Sequence, residues 1–428
     1  MQQYQSGYAR EYRTTFEANK CIKWIKSRRK NNPWFASLAF SNPHTPTMPA
    51  PLNLVYDKTR ASQASAQVCD GSIRETQAVY ATMVEALDRK LGRLLVEAGI
   101  ATENPDGSIN YDPFASNTMV IVTSDNGSFG PTVKAPFDPS LSKGFVYQTG
   151  LWVPLIISGP LVVKPGRQVD AMVSTMDLFA LFGEIAEVNY RKAVPKVRAI
   201  DAMPLMPYLV NPEQGPIRTS NFIYWAAHGR TPSFVNQACV IESLDTCIIS
   251  FFSKSLCEDN DGTWYGEGGA GTPEGFESCC ALNEWKISQG EKPYLVLSDS
   301  QTAIRNEIFK YITFKYNDWN TSTQSCEDVV VEQFYRINEN VPIPRIDRPE
   351  LDLLNGTLSV VEQTNLDSLK HELEAIMTSA TPCPGKRKER RRRMVRSRKR
   401  RRKAPTVVHL QRLLLFVIGR TSDIGLPA

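Results

Sequence analysis

The sequence predicts an α/β fold followed by a smaller α+β domain, and three observations carry that prediction. Short apolar runs at Trp34–Ala39, Thr118–Thr123 and Val153–Ile157 read as buried strands, each next to a polar loop. Between the first two, Val79, Met83, Leu87, Leu91, Leu94 and Ala98 recur at three- and four-residue steps, the mark of a helix with one apolar face. Beyond Val210 the pattern changes to brief apolar pieces and a high density of cysteine. At 428 residues and 42% hydrophobic, the chain can bury a substantial core and exceeds one typical domain.

In chain order, Trp34–Ala39 opens into Ser41-Asn42-Pro43-His44-Thr45-Pro46. The run Thr118–Thr123 ends abruptly in Ser124-Asp125-Asn126-Gly127. Lys143-Gly144 precedes Tyr147-Gln148-Thr149-Gly150, which leads into the third run. Asn211-Pro212-Glu213-Gln214-Gly215-Pro216 reads as a linker. Three segments follow: 1–210, 217–385 and a basic, disordered tail at 386–428. In the second, Phe222–Trp225, Cys247–Phe252, Tyr294–Leu297 and Tyr311–Phe314 suggest an antiparallel sheet. Ser368–Met377 suggests a helix presenting Leu369, Leu373 and Ile376.

The strand that ends in Asp125 and Asn126 is the most informative element. Consecutive strand residues point to opposite faces, so these two converge on one ligand only where the strand has broken into a turn, which Gly127 permits. A carboxylate and an amide carbonyl at a strand's carboxyl end suit calcium or magnesium, in the place where open α/β sheets hold ligands. The competing reading is an ordinary Asp-Asn-Gly turn. His44 and Lys143 are the other candidates, against readings as a proline-flanked loop histidine and a solvated loop lysine.

From about Phe16 to Leu209 the chain resembles the sulfatase family of the alkaline phosphatase superfamily. The family's Pro-His-Thr-Pro loop matches Pro43 to Pro46, its Asp-x-x-hydrophobic-Gly helix core matches Asp88 to Gly92, and its Ser-Asp-Asn-Gly matches Ser124 to Gly127. Its lysine segment looks like Lys143 to Pro154. Val173 to Phe179 and Asp201 to Leu205 are similar to later family segments. The resemblance implies an alkaline phosphatase-like mixed sheet flanked by helices, with a smaller C-terminal α+β domain of antiparallel sheet plus helix. It also implies a helix at Phe16–Lys30 before the His-bearing strand, and sulfuric ester hydrolysis of aryl or carbohydrate sulfates. Asp125 and Asn126 would ligate Ca2+, or Mg2+. Lys143 would bind sulfate and follow charge onto the leaving oxygen, and His44 would stand near the leaving group to donate a hydrogen bond or proton.

Departures accompany the matches. Gln148-Thr149-Gly150-Leu151-Trp152 stands where the family commonly has Glu-Gly-Gly-x-Arg, and these positions read as support for the lysine loop. No adjacent Asp-Asp pair occurs, and neither does the Cys-x-Pro-x-Arg motif whose cysteine becomes formylglycine. The nearest sequence, Cys383-Pro384-Gly385-Lys386-Arg387, has proline out of place. The chain therefore reads as a sulfatase lacking its N-terminal third, not competent alone and weak in metal affinity. A catalytically inactive binding protein and a phosphatase or phosphodiesterase of the same superfamily are the alternatives.

Seven of the nine cysteines lie between Cys239 and Cys383, none with the Cys-x-x-Cys spacing of a zinc site. Adjacent Cys279 and Cys280 suit disulfides to separate partners, against the alternative of buried free thiols. Disulfides imply the oxidising, extracytoplasmic compartment (secreted, lysosomal or periplasmic) in which most of the family works. Asn320-Thr321-Ser322 and Asn355-Gly356-Thr357 are glycosylation sequons. Asp259 to Glu277, rich in glycine and acids, lacks the EF-hand ligand pattern and reads as a solvated insertion.

Lys386 to Lys403 holds fourteen Lys or Arg and one Glu, more charge than the whole chain's net +5, so the remainder is acidic. Such a run cannot fold against itself, and it could bind polyanions. A basic-tailed nucleic-acid binder would show salt-sensitive affinity; the competing reading is a disordered tail or translation outside the authentic frame. No specific nucleic-acid partner is expected. Val407 to Ile418 is apolar but too short to span a membrane and contains His409, Gln411 and Arg412. Met1 begins no signal peptide.

Overall fold

The computed structural model describes residues 11–28, 32–44, 47–57, 59, 73–196, 198–226, 237–248, 254–258, 262–296, 300–338, 346–379 and 413–419. Thr45, Pro46, Cys69, Cys383 and the basic run 386–403 therefore lie outside the described residues. The strands are β1 (Trp34–Phe40), β2 (Thr102–Glu103), β3 (Ile109–Asn110), β4 (Thr118–Ser124), β5 (Leu155–Ser158), β6 (Asn221–Ala226), β7 (Cys239–Ile241), β8 (Thr246–Ile248), β9 (Thr263–Trp264), β10 (Leu295–Val296), β11 (Ser300–Arg305), β12 (Phe309–Asn320), β13 (Ser325–Arg336) and β14 (Leu413–Gly419). The main helices are α1 (Arg13–Lys26), α2 (Ile73–Glu97), α3 (Asp177–Ile185), α4 (Cys279–Ser288) and α5 (Val360–Ser379). Two compact units result: one comprises 1–143, 148–219 and 381–428, and the other 144–147 and 220–380.

The first unit is built on a four-stranded sheet ordered β1-β14-β4-β5. Every described ladder in it is antiparallel, so β1 and β4, on either side of β14, run parallel to each other. The apolar run of β4 is buried along nearly its whole length because it lies inside the sheet and is covered on both faces. Its period of two divides it between two cores. Val120 packs with Ala18, Ile22 and Ile25 of α1 and Leu87 and Leu94 of α2, whereas Met119 and Ile121 pack with Leu178, Leu181 and Ile185 of α3. Helix α2 buries Val79, Met83, Leu87 and Leu94, as its periodicity predicts. It stops at Gly99, whose φ of +74° lets the amides of Gly99 and Ile100 turn back onto the carbonyls of Val96 and Leu95.

Strand β14 corrects the reading of 386–428 as a disordered tail over seven residues. Leu413–Gly419 is paired on both sides, with Phe416 opposite Ser37 of β1 and Ile121 of β4. An apolar segment too short for a membrane is long enough for a sheet.

The second unit holds the sheet β13-β12-β11-β6, antiparallel throughout, with α5 laid across it. Leu366, Leu369 and Leu373 of α5 pack on Ile304, Phe309, Tyr311 and Phe334. A smaller sheet, β10-β8-β7-β9, is stitched by disulfides Cys239–Cys257 and Cys247–Cys279, while Cys280 joins Cys326 of β13. The adjacent cysteines at the start of α4 thus bridge to separate partners, and Ser278 caps that helix by accepting from the amide of Ala281 at 3.0 Å.

The segment 259–277 is also corrected in its described part, 262–277: it is packed, not a solvated insertion. Trp264 is buried, Tyr265 and Phe276 exchange backbone hydrogen bonds with Ala238, and a Cβ at Gly275 would fall 2.1 Å from the Gly266 carbonyl carbon. The glycines there serve close backbone approach.

Candidate functional site

The site begins where β1 and β4 end. Phe40 and Ser124, the last residues of those strands, are both in register with Leu413, so the loops carrying His44 and Asp125 leave the sheet at the same end. Strand ends of one orientation on one edge are the usual setting for a ligand site in α/β folds.

On the β1 side, α1 fixes the loop before His44. Glu17 accepts from both the amide of Ser41, at 3.0 Å, and its hydroxyl, while the Asn42 amide donates to the Tyr12 hydroxyl at 2.6 Å. The amide of His44 closes a turn onto the Ser41 carbonyl at 3.0 Å, leaving the imidazole half-buried. A groove of about 620 Å³ runs between α1 and β1, lined by residues including Glu17, Cys21, Phe35 and Ser41; neither Asp125 nor Lys143 lines it.

On the β4 side the strand breaks where Ser124 turns its hydroxyl back to the Asn126 carbonyl, donating to it at 3.0 Å. Asp125 is exposed, whereas the Asn126 side-chain oxygen is sealed from solvent. Gly127 is indispensable here. Its amide donates to the Gly150 carbonyl at 2.8 Å, and a Cβ would sit 2.3 Å from the Thr149 carbonyl oxygen. Gln148 and Thr149 are buried in a helical turn, 148–151, whose Gly150 carbonyl is the one that accepts from Gly127. Trp152 is half-exposed and meets Phe137 edge-on at 6.0 Å.

Lys143 arrives beside this turn. Its amide donates to the carbonyl of Ser128 at 3.0 Å, and its ammonium lies within electrostatic range of the Asp125 carboxylate. Burial pushes the Lys143 pKa below the ordinary lysine range, and Asp125 partly offsets that by favouring the charged form. Asp125 and Asn126 are neighbours in this turn, the Lys143 backbone is bonded to Ser128 just after it, and the loop carrying His44 leaves the sheet at the same end.

A divalent ion fits this donor set poorly. Calcium takes roughly six to eight oxygens, and Asp125 with Asn126 offers one carboxylate and one amide. Among the described residues no group of three or more His, Cys, Asp or Glu could hold a metal.

Sequence reasoning missed the residue that organises the far side of this unit. Asp177, buried at the start of α3, accepts from the amides of Ser174 and Met203, each at 2.8 Å, and pairs with Arg218. This ties the Val173–Phe179 segment to Asp201–Leu205.

A family model described as Sulfatase matches residues 2–188. A sulfatase of Formosa agariphila is 36% identical over 210 residues, covering 48% of this chain and 34% of that protein. Human N-acetylglucosamine-6-sulfatase is 23% identical over 262 residues, covering 59% of this chain and 45% of its own length. The chain thus spans between a third and a half of these relatives. Among solved structures, a phosphonate monoester hydrolase from Silicibacter pomeroyi is similar with a TM-score of 0.49 at 16% identity, covering 86% of this chain and 60% of that one. Residues 2–188 of the chain are thus similar to the sulfatase family.

Proposed function

We propose that the sheet end bearing His44, Asp125, Asn126 and Lys143 recognises the sulfate group of an aryl or carbohydrate sulfate ester, in an extracytoplasmic setting suited to the disulfides. The observation that supports this reading is the backbone bond from Lys143 to Ser128, which joins the lysine's chain to the loop that follows the Asp125-Asn126-Gly127 turn. A cation fixed there offsets negative charge on sulfuryl oxygens, and more so as charge develops on the leaving oxygen. A half-buried imidazole at His44 can donate a hydrogen bond or a proton to that oxygen. The 428 residues contain no Cys-x-Pro-x-Arg, so they supply recognition and leaving-group assistance without the family's nucleophile. Bound calcium or magnesium would add positive charge at Asp125 and Asn126; two donors make that binding weak.

The test is titration of the purified chain with 4-methylumbelliferyl sulfate, scoring binding and turnover separately, with the matching phosphate ester as competitor. Binding without turnover, weakened at least about tenfold by Lys143→Ala, is the expected result; one charge-assisted contact is worth about 1.5–3 kcal/mol. Equal affinity in the variant, or preference for the phosphate ester, would remove Lys143 from the role of sulfate-binding cation.

A further inference from the structure

Asn-x-Ser/Thr triplets begin at Asn126, Asn320 and Asn355, and the structure sorts them. The Asn126 side-chain oxygen is sealed from solvent in the turn whose Gly127 is bonded to Gly150. A glycan on that amide has no outlet. Asn320, the last residue of β12, is half-buried. Its side-chain nitrogen donates to Glu327 at 2.9 Å, and its side-chain oxygen accepts from the amide of Ser322 at 2.9 Å. Both ends of that amide already serve the turn between β12 and β13.

Asn355 differs on each count. Asp352 accepts from the amide of Phe334 of β13 at 2.9 Å and from that of Leu354 at 3.0 Å, and it caps a single 3-10 turn over Leu353–Asn355. Leu353, Leu354 and Leu358 pack against the core beneath α5, whereas Asn355, Gly356 and Thr357, lying between them, are all exposed. Gly356 is extended, with φ −132° and ψ −170°, and a Cβ there would meet nothing closer than the Leu353 carbonyl oxygen at 3.9 Å. The whole triplet stands clear on anchored flanks.

The residues that follow give a glycan a use. Ser359 and Glu362 form a capping box: the Glu362 amide donates to the Ser359 hydroxyl at 3.3 Å, and the Glu362 carboxylate accepts from the Ser359 amide at 2.9 Å. The box starts α5 with Val360 and Val361 facing out, 83% and 61% exposed. Two such valines side by side on a fixed helix start are an apolar surface open to association. A bulky, hydrated sugar attached five residues earlier covers it.

We propose that Asn355 carries an N-linked glycan that shields Val360 and Val361. The proposal shares only the extracytoplasmic setting with the sulfate-recognition reading. In the transfer, the Asn355 side-chain nitrogen forms a bond to the anomeric carbon of a lipid-diphosphate-linked oligosaccharide. The bond from that carbon to the diphosphate oxygen breaks, the lipid diphosphate leaves with the electron pair, and the amide proton passes to a base of the transferase.

The test secretes the full chain from a eukaryotic host behind an added leader, alongside Asn355→Gln, Thr357→Ala, Asn320→Gln and the triple variant N355Q/V360S/V361S. N-glycosidase treatment in heavy-oxygen water converts a carrying Asn to labelled Asp, so peptide mass spectrometry reads each position. Label at Asn355 is expected, without label at Asn126 or Asn320. The glycan should be lost in Asn355→Gln and in Thr357→Ala and kept in Asn320→Gln. Binding of the uncharged apolar dye Nile red should rise about twofold in Asn355→Gln and return to the wild-type level in the triple variant. An unlabelled Asn355 in the secreted chain overturns the site, and unchanged dye binding in Asn355→Gln overturns the shielding. Free thiols at Cys239, Cys247 or Cys280 in the same sample would count against the oxidising setting and leave the occupancy result standing.

Discussion

The backbone amide of Lys143 donates to the carbonyl of Ser128 at 3.0 Å, joining two loops that lie fifteen residues apart in sequence. That bond couples the end of β4 to the segment before β5. Because Gly127 is joined to Gly150 by a second backbone bond of 2.8 Å, the turn bearing Asp125 and Asn126 is gripped on both sides. The site is therefore an outcome of backbone packing first and of side-chain chemistry second.

Gly127→Ala should be among the most damaging single substitutions in the first unit. Its Cβ would lie 2.3 Å from the Thr149 carbonyl oxygen and 2.5 Å from the Gly150 carbonyl carbon, both backbone atoms that cannot rotate away. A loss of about 2–4 kcal/mol is expected for overpacking combined with a broken backbone bond. Urea denaturation followed by tryptophan fluorescence checks it, and a midpoint equal to wild type would show that the loops separate freely. Gly144→Ala makes the control for open space, since no atom lies within 4 Å of its added Cβ and only its φ of +101° opposes the change.

The turn at Asp125 was legible in the sequence because its signal is local: an apolar β-branched run followed at once by Ser-Asp-Asn-Gly. The helix α2 was legible for the same reason, its apolar face recurring within a few residues. The hold on Val146 was not: Gln301 accepts from its amide and Lys310 donates to its carbonyl, yet both lie more than 150 residues away and each, read alone, is an ordinary strand residue. Strand β14 was misread because composition dominates there: a basic run just before Leu413 makes the whole C-terminal segment look like a tail. The glycines of the described segment 262–277 pointed to solvent by composition, whereas Trp264 and Phe276 pack them into close backbone contact.

Removing β14 should unravel the first unit selectively. With Leu413–Gly419 gone, β1 and β4 each lose seven register partners, and a sheet interior becomes two exposed edges. Phe416→Pro is the point version, because proline takes a donor out of a central strand. In both variants, amide exchange across Trp34–Phe40 and Thr118–Ser124 should rise to the rate of global unfolding, while β11–β13 remain protected. Protection of β1 and β4 that survives the deletion would mean the strands do not depend on β14.

Reduction should act on the second unit. Among the described disulfides Cys280–Cys326 closes the longest separation, 46 residues, and the chain-entropy account assigns a bond of that span roughly 4 kcal/mol. The double variant C280S/C326S is therefore expected to lower the melting temperature more than C239S/C257S, which spans 18 residues. Calorimetry on the two variants decides this. The reverse order would place the stabilisation in local packing around Cys239, Cys257 and Trp264, which form a small cluster of their own.

Lys143 should be held at a cost in stability, and pH reveals it. Burial keeps its folded pKa below the ordinary lysine range, whereas the unfolded lysine holds its proton to about 10.4. Between those two values the unfolded chain binds more protons than the folded one, so the wild-type contribution improves as pH rises through that window. Below the folded pKa the full cost of the buried ammonium is present. Lys143→Met should accordingly raise the melting temperature at neutral pH, by an amount that shrinks as pH approaches 10. Asp125 favours the charged lysine, so Asp125→Asn should deepen the cost and lower the melting temperature when Lys143 is present, with a smaller effect in the Lys143→Met background. Melting curves of the four proteins at neutral pH and near pH 10 form a double-mutant cycle that isolates the pair. A Lys143→Met gain that grows with pH would contradict a lysine pKa lowered by burial. Additive effects of the two substitutions would mean that the ammonium and the carboxylate act independently.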